Sequence, residues 1–457
     1  MTDKPQSSPT RRDVLRVLGV AALAGVGATA GCKQAGTDAR AHTSAHQGDP
    51  STSSSASGGS AVAGSDGPAN SGARPTTPHA TTPHASSPHA SSPHTSSPRP
   101  TAKPQPAPTV RRGTLLGAGS HAEDGRRRTY VSLIDLDQPV LRPRTIETGF
   151  FGHGVAFDPI DPSRALLFEK HGPGCCELDL VAGKLRHRVP TTPERQFYGH
   201  GVFTADGRLL LATETIVGDG SKRGVIVVRD GRTLKPLGTF PSYGEAPHDC
   251  RLIDEGRTLV VTNGGGTHAS GHVPNVAYID VATRQLKERV PFDTPRVNAG
   301  HLAISRGGDL VVVSAPRDGL DLKASDVHGA ISFRPAGASG MLKTAKVALI
   351  NRMRAETLSV AIQEKLGVVA ATSPGGNLVS FWDLKTGKLM STLDTFAQPR
   401  GVTVTLDGAF FALTWGGGAS LALIDTKTLR PLPGGSLKRA WMSGSHVYVH
   451  PLRAKGA

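Results

Sequence analysis

Four histidines open similar stretches of this 457-residue chain: His153 in GHGVAFDP, His200 in YGHGVFTADG, His248 in PHDCRLID and His301 in GHLAISRG. Each precedes an apolar run, a turn and a second apolar run that closes on a polar residue, respectively Glu169, Glu214, Asn263 and Ser314. Imidazoles gathered in front of carboxylates suit a transition metal, because the nitrogens ligate iron, copper or zinc and the outer group fixes the tautomer and raises ligand basicity. The midpoint of His200 and Glu214 is Gly207, inside an Asp206-Gly207 turn, and the other three pairs also centre on turns. Antiparallel pairing about those turns predicts each histidine beside its partner across the ladder. The expected metal ligands are therefore His153, His200, His248 and His301, supported by Glu169, Glu214, Asn263 and by Asp249, the neighbour of His248. His171, His268 and His272 lie just beyond the same strand ends and extend the set. A metal-free alternative stands beside this one, in which such histidines tie adjacent strands by hydrogen bonds to backbone or to Asp.

Positioning these residues requires a repeated element. The hairpin recurs as LSVAIQEKLGVVAATS from Leu358 and RGVTVTLDGAFFALTWG from Arg400, a period of roughly 40 to 60 residues that signals stacked supersecondary units. Behind each hairpin a further apolar strand closes on Asp, as in VIVVRDGRTL from Val225, VAYIDVATRQ from Val276 and LALIDTKTLR from Leu421. Seven such second halves face six complete leading hairpins. The mismatch closes if Ser445 to His450 supplies the first strand of a blade whose second strand is Gly113 to Ala118. The expected fold class is all-β: a seven-bladed β-propeller closed by its N- and C-terminal strands and preceded by a disordered tail. In a propeller the first strand of each blade lines the central channel, which predicts the four histidines at one mouth.

FYGHGVFTADGRLL, the GEAPHD run at Gly244 to Asp249, RTLVVTNGG and the strand-closing LDL or YID resemble a bacterial propeller family of unknown function, the domain-of-unknown-function family numbered 1513. The resemblance spans Arg112 to the C-terminus. It implies export and a setting beside imelysin-type and related periplasmic iron-uptake proteins, hence an accessory part in the uptake of iron or another metal. Where the family has a PHE-like triplet, Pro247-His248-Asp249 keeps a shorter carboxylate.

Two other function classes compete. A lactonase-like propeller hydrolase would use channel-mouth histidines, carboxylates and Arg400 as acid, base and oxyanion partner, but no nucleophile elbow or catalytic Ser or Cys motif accompanies them. A non-catalytic interaction scaffold would present loop residues such as Trp415 and Trp441. The reading leans away from an enzyme and assigns no catalytic residue.

The first quarter of the chain differs in kind. Residues 1–32 resemble a twin-arginine export signal, with Arg11-Arg12 ahead of the small and apolar run 17–30. Ala30-Gly31-Cys32 reads as a lipobox that would acylate Cys32, while Ala28-Thr29-Ala30 suits ordinary cleavage. Residues 33–110 are a Ser-, Thr-, Pro- and His-rich linker expected to be disordered and extended, with His79, His84, His89 and His94 at every fifth position. Residues 111–457 form the propeller. The predicted location is periplasmic or cell-envelope, reached by the twin-arginine route and held to the membrane by a lipid anchor. A net charge of +15 comes without a basic cluster interleaved with aromatics, which excludes nucleic acid as a partner; the protein is expected to be a monomer.

Overall fold

The computed structural model describes residues 110–123, 125–218, 222–416 and 420–452. The export signal and nearly all of the linker, Arg11, Arg12 and Cys32 included, lie outside the described residues. Among those described there is no α-helix; strands joined by turns and short 3-10 segments make up the regular structure. No helix among them is long and apolar enough to cross a membrane.

The first strands are β1 (Thr114–Glu123), β2 (Arg126–Asp135) and β3 (Pro143–Glu147), then β4 (Gly152–Phe157), β5 (Arg164–Gly172), β6 (Cys175–Asp179) and β7 (Lys184–Arg188). Next come β8 (Arg195–Phe203), β9 (Leu209–Ile216), β10 (Arg223–Asp230) and β11 (Pro236–Glu245), then β12 (Pro247–Ile253), β13 (Thr258–Asn263), β14 (Asn275–Asp280) and β15 (Leu286–Pro291). The chain continues through β16 (Leu302–Ile304), β17 (Leu310–Ser314), β18 (Ala330–Arg334) and β19 (Lys343–Thr344), and through β20 (Ser359–Gln363), β21 (Val368–Ser373), β22 (Leu378–Asp383) and β23 (Leu389–Leu393). It ends with β24 (Val402–Val404), β25 (Phe410–Trp415), β26 (Ser420–Asp425), β27 (Pro431–Lys438) and β28 (Val447–His450).

All ladders between these strands are antiparallel, and the expected seven separate blades are corrected by their pairing. Five blades stand alone as four-stranded sheets: β28-β1-β2-β3, β12 to β15, β16 to β19, β20 to β23 and β24 to β27. The other eight strands form one continuous sheet, because β5 overshoots its partner β6 and meets the early start of β8, pairing Lys170 with Tyr198 and Gly172 with Phe197. The first blade contains both ends of the described propeller, with Thr114 to Gly117 paired against His450 to Val447.

Apolar residues fill the spaces between consecutive sheets. Leu116, Val131 and Leu133 pack on Leu167 and Leu178, and Leu115 and Ile134 pack on Phe410 and Leu423, which joins the last sheet to the first. Each fully buried Leu, Val or Phe side chain contributes about 1.5–3 kcal/mol relative to exposure. The aspartates that close the third strand of several blades have a local cause. Asp230, Asp280, Asp383 and Asp425 each accept the backbone N–H three residues on, at Thr233, Thr283, Thr386 and Thr428, building the turn that the next strand needs. Cys175, Cys176 and Cys250 are buried, unpaired thiols lying in three different packing clusters. Burial pushes the Cys176 and Cys250 thiols up to about 12, so they pack as small apolar groups.

Candidate metal centre

The first strands of four consecutive units bring His153, His200, His248 and His301 together, with one nitrogen from each within 4.8 Å of the others. His153 lies on β4, His200 on β8 and His248 on β12, while His301 immediately precedes β16. Three of them sit where the ladder slips: between Gly152 and Gly154, between Phe197 and Gly201, and between Pro247 and Cys250. A bulge inserts a residue that has no ladder partner and re-aims its side chain.

The glycines around two of these histidines are required by the close approach of the rings. A Cβ on Gly154 would lie 2.3 Å from the Gly199 carbonyl oxygen and 2.8 Å from His200 Nδ1. A Cβ on Gly199, which has φ of +110°, would lie 2.6 Å from His153 Cδ2. The two Gly-His-Gly triplets therefore interlock, each giving up a side chain where the other places its imidazole.

The bulges also change which polar groups stand behind the rings. Glu169 pairs with Gly152, Glu214 with Phe197 and Asn263 with Pro247, so the partners expected across the ladder are displaced. Their side chains are engaged elsewhere. Glu169 accepts the Gly174 N–H at 2.8 Å; Glu214 forms a buried ion pair with Arg229 at 3.0 Å; Asn263 donates to Ser242 O and Asn275 Oδ1 and accepts from Ser242 Oγ. Burial raises the Glu214 carboxyl despite the opposing pull of Arg229. Asp249 is the carboxylate that reaches a ring, with Oδ1 3.2 Å from His200 Nδ1. Its oxygens also accept the N–H groups of Cys250 and Leu302, which hold it in place. His268 and His272 stand outside the group, His272 against Glu245 at 3.0 Å, and His171 meets the edge of Tyr198.

Tautomers follow from these contacts. The His200 Nδ1–H donates to Asp249, and the His301 Nδ1–H donates to the Leu358 carbonyl 2.5 Å away. Both rings are then left with an Nε2 lone pair. That of His200 is buried without a hydrogen-bond partner, and that of His301 lies 3.1 Å from His153 Nε2. Burial is the largest cause that lowers the pKa of His153, His200 and His248 well below the ordinary value and that of His301 to about 3; Lys170 adds to it at all four, Arg251 at His200, and neighbouring rings at His153, His248 and His301. The rings are neutral; His153 Nε2–H donates to His301 Nε2, His248 Nε2 accepts from the Lys170 ammonium, and His200 keeps an unpartnered Nε2 lone pair. Neutral nitrogens and an orphaned buried acceptor fit a borderline transition-metal ion.

The sequence reading missed three residues here. His446 precedes β28 and meets the cluster edge to face, its ring centroid 3.8 Å from that of His301 and 4.7 Å from that of His200, with a buried Nε2 that has no partner. Ser445-His446-Val447 leads into its strand as Gly300-His301-Leu302 does, a signal that was present. Lys170 places Nζ 2.8 Å from His248 Nε2, and Arg251 lies 3.1 Å from Asp249; no motif marks either. Arg400 is half-buried at the start of its unit, with a buried Nε that has no hydrogen-bond partner.

The fold and this cluster define a β-propeller whose central channel is capped by histidines. The chain belongs to the family described as Protein of unknown function (DUF1513), which it matches over residues 147–440. Comparison with curated proteins gives no match. Among solved structures it is similar to the hydrazine synthase of Kuenenia stuttgartiensis, with a TM-score of 0.54 and 13% identity over 66% of this chain and 92% of that one; at this identity the likeness concerns the fold alone.

Proposed function

We propose that the protein binds one transition-metal ion, iron, copper or zinc, between His153, His200, His248 and His301, and that it serves as an exported accessory of metal uptake. The observation that carries this reading is the convergence of four imidazole nitrogens within 4.8 Å in a buried pocket. A purely structural cluster would satisfy its nitrogens internally, whereas the Nε2 atoms of His200 and His446 have no partner. Asp249 and the Leu358 carbonyl do for His200 and His301 what outer groups do at metal sites, holding the proton on the far nitrogen. Arg11-Arg12 and Cys32 support export and lipid anchoring, and the family resemblance supports a setting among periplasmic iron-uptake proteins. The hydrolase reading loses one of its carboxylates, because Glu214 is committed to Arg229.

The test is metal analysis of protein isolated from the export compartment, beside His200→Ala and His248→Ala chains. One equivalent of a single metal that falls sharply in both variants is expected; metal that is absent, or indifferent to both changes, refutes the reading. Fractionation of cells making an Arg11→Lys, Arg12→Lys chain checks export, which should fail.

A further inference from the structure

Like that of His200, the Nε2 of His446 is buried without a hydrogen-bond partner. A histidine kept for packing alone would satisfy that atom, since a buried polar group with no partner bears its full desolvation cost. The backbone that carries the ring is fixed from two sides. Toward β1, the Gly444 N–H donates to the Ala118 carbonyl at 2.9 Å and the Ser120 N–H to Ser443 Oγ at 3.0 Å. Toward the preceding unit, a Cβ on Gly401 would lie 3.1 Å from the His446 carbonyl carbon. The segment that closes the propeller therefore delivers this imidazole to the cluster in a set position.

Separations between ring centroids fix what that position is. His153, His200 and His301 form a triangle with sides of 4.9, 5.2 and 5.6 Å. His446 lies 4.8, 4.7 and 3.8 Å from the three corners, taken in that order. His248 lies 5.6, 5.9 and 4.4 Å from the same corners. These two rings occupy opposite faces of the triangle, because such distances taken on one face would superimpose them. With metal–nitrogen bonds of about 2.0–2.1 Å, imidazoles on one ion stand roughly 5.5 Å apart at 120° and roughly 4.5 Å apart at 90°. The triangle approximates the first spacing, and His446 above it approximates the second.

We infer that His446 is a fifth ligand of the metal, capping the triangle of His153, His200 and His301 on the face opposite His248 and making the site five-coordinate. The inference rests on the metal reading above. It adds that the ion ties the closing strand β28 to the first strands of the next four units. His248, whose separations are the longer ones, moves inward by about 1 Å to ligate and exchanges the Lys170 ammonium for the ion.

The experiment loads the full-length chain with Co(II), whose visible bands report coordination geometry and weaken from four ligands to five. Cobalt held by the linker histidines is measured with the His200→Ala, His248→Ala chain and subtracted. The wild type should bind one equivalent above that background and show the weak bands of a five-coordinate ion. His446→Gln should bind at least tenfold more weakly, no less than for loss of an outer partner, and show the intense bands of a four-coordinate ion. Added imidazole should return His446→Ala to the wild-type spectrum, which a packing role would not allow. His450→Gln, on the same strand but stacked on Phe157, should lower Tm and keep both spectrum and affinity. Unchanged affinity and spectrum in His446→Gln, or four-coordinate bands in the wild type, overturn the fifth ligand and leave the four-histidine reading standing. Cobalt no higher than in the doubly substituted chain overturns both. Should neither His446 variant fold, the imidazole count from X-ray absorption at the wild-type cobalt site decides: five supports the inference and four overturns it.

Discussion

His200 Nδ1 lies 3.2 Å from Asp249 Oδ1, so a ring carried by β8 is oriented by a carboxylate carried by β12. The contact crosses from one sheet to the next. It ties the tautomer of a candidate ligand to the packing of neighbouring units.

Asp249→Asn should therefore weaken metal binding by roughly 10- to 100-fold, the usual effect of losing an outer partner. Competition against a chromophoric chelator measures it. An unchanged affinity would mean that Asp249 has only a packing role.

Lys170 opposes a cation at the same site, because its ammonium lies 2.8 Å from His248 Nε2. Lys170→Gln should tighten metal binding by about tenfold, as a like charge a few ångströms away is removed from a poorly screened pocket. Equal or weaker binding in the variant would show that the ammonium leaves the pocket at no cost when metal arrives.

Metal-free protein should lose stability on the acid side. Burial is the first cause that lowers the pKa of His153, His200, His248, His301 and His446 below the ordinary 6.5. The unfolded chain then takes up protons first, so the contribution is complete above pH 6.5 and is lost as pH falls towards the folded values, about 3 for His301. Each such histidine lowers stability by up to roughly 1.4 kcal/mol per pH unit below that point. Thermal unfolding between pH 8 and pH 5 should show a falling Tm, with a shallower slope in His446→Gln; a flat profile would contradict neutral, buried rings.

Gly199→Ala should disrupt the cluster without touching an imidazole. The new methyl would meet His153, and the backbone at φ of +110° disfavours any side chain, a strain of about 1–3 kcal/mol. Both Tm and bound metal should drop, whereas Gly218→Ala, also at positive φ but with open space around it, should lower Tm and spare the metal. Retention of metal by Gly199→Ala would argue against the interlocked packing.

Much of this site was legible in the chain because its signals are local and repeated. Gly-His-Gly before an apolar run marks His153 and His200, and the same placement marks His248 and His301. His446 carried that signal in weaker form, in the strand assigned to ring closure. Lys170 was unreadable, since nothing about a lysine near a strand end says which ring it will meet.

The amino-acid sequence by itself determined an all-β propeller, its strand-closing aspartates and the recurrence of a histidine at the head of successive first strands, because period-2 patterning, turn chemistry and repeats act over a few residues. Tertiary structure decided the rest. The slips in the ladders moved Glu169, Glu214 and Asn263 out of register and left Asp249 to face His200, and the overhanging ends of β5 and β8 fused two units into an eight-stranded sheet. Such outcomes depend on how one sheet packs on the next, a relation between residues far apart in the chain that no local pattern encodes.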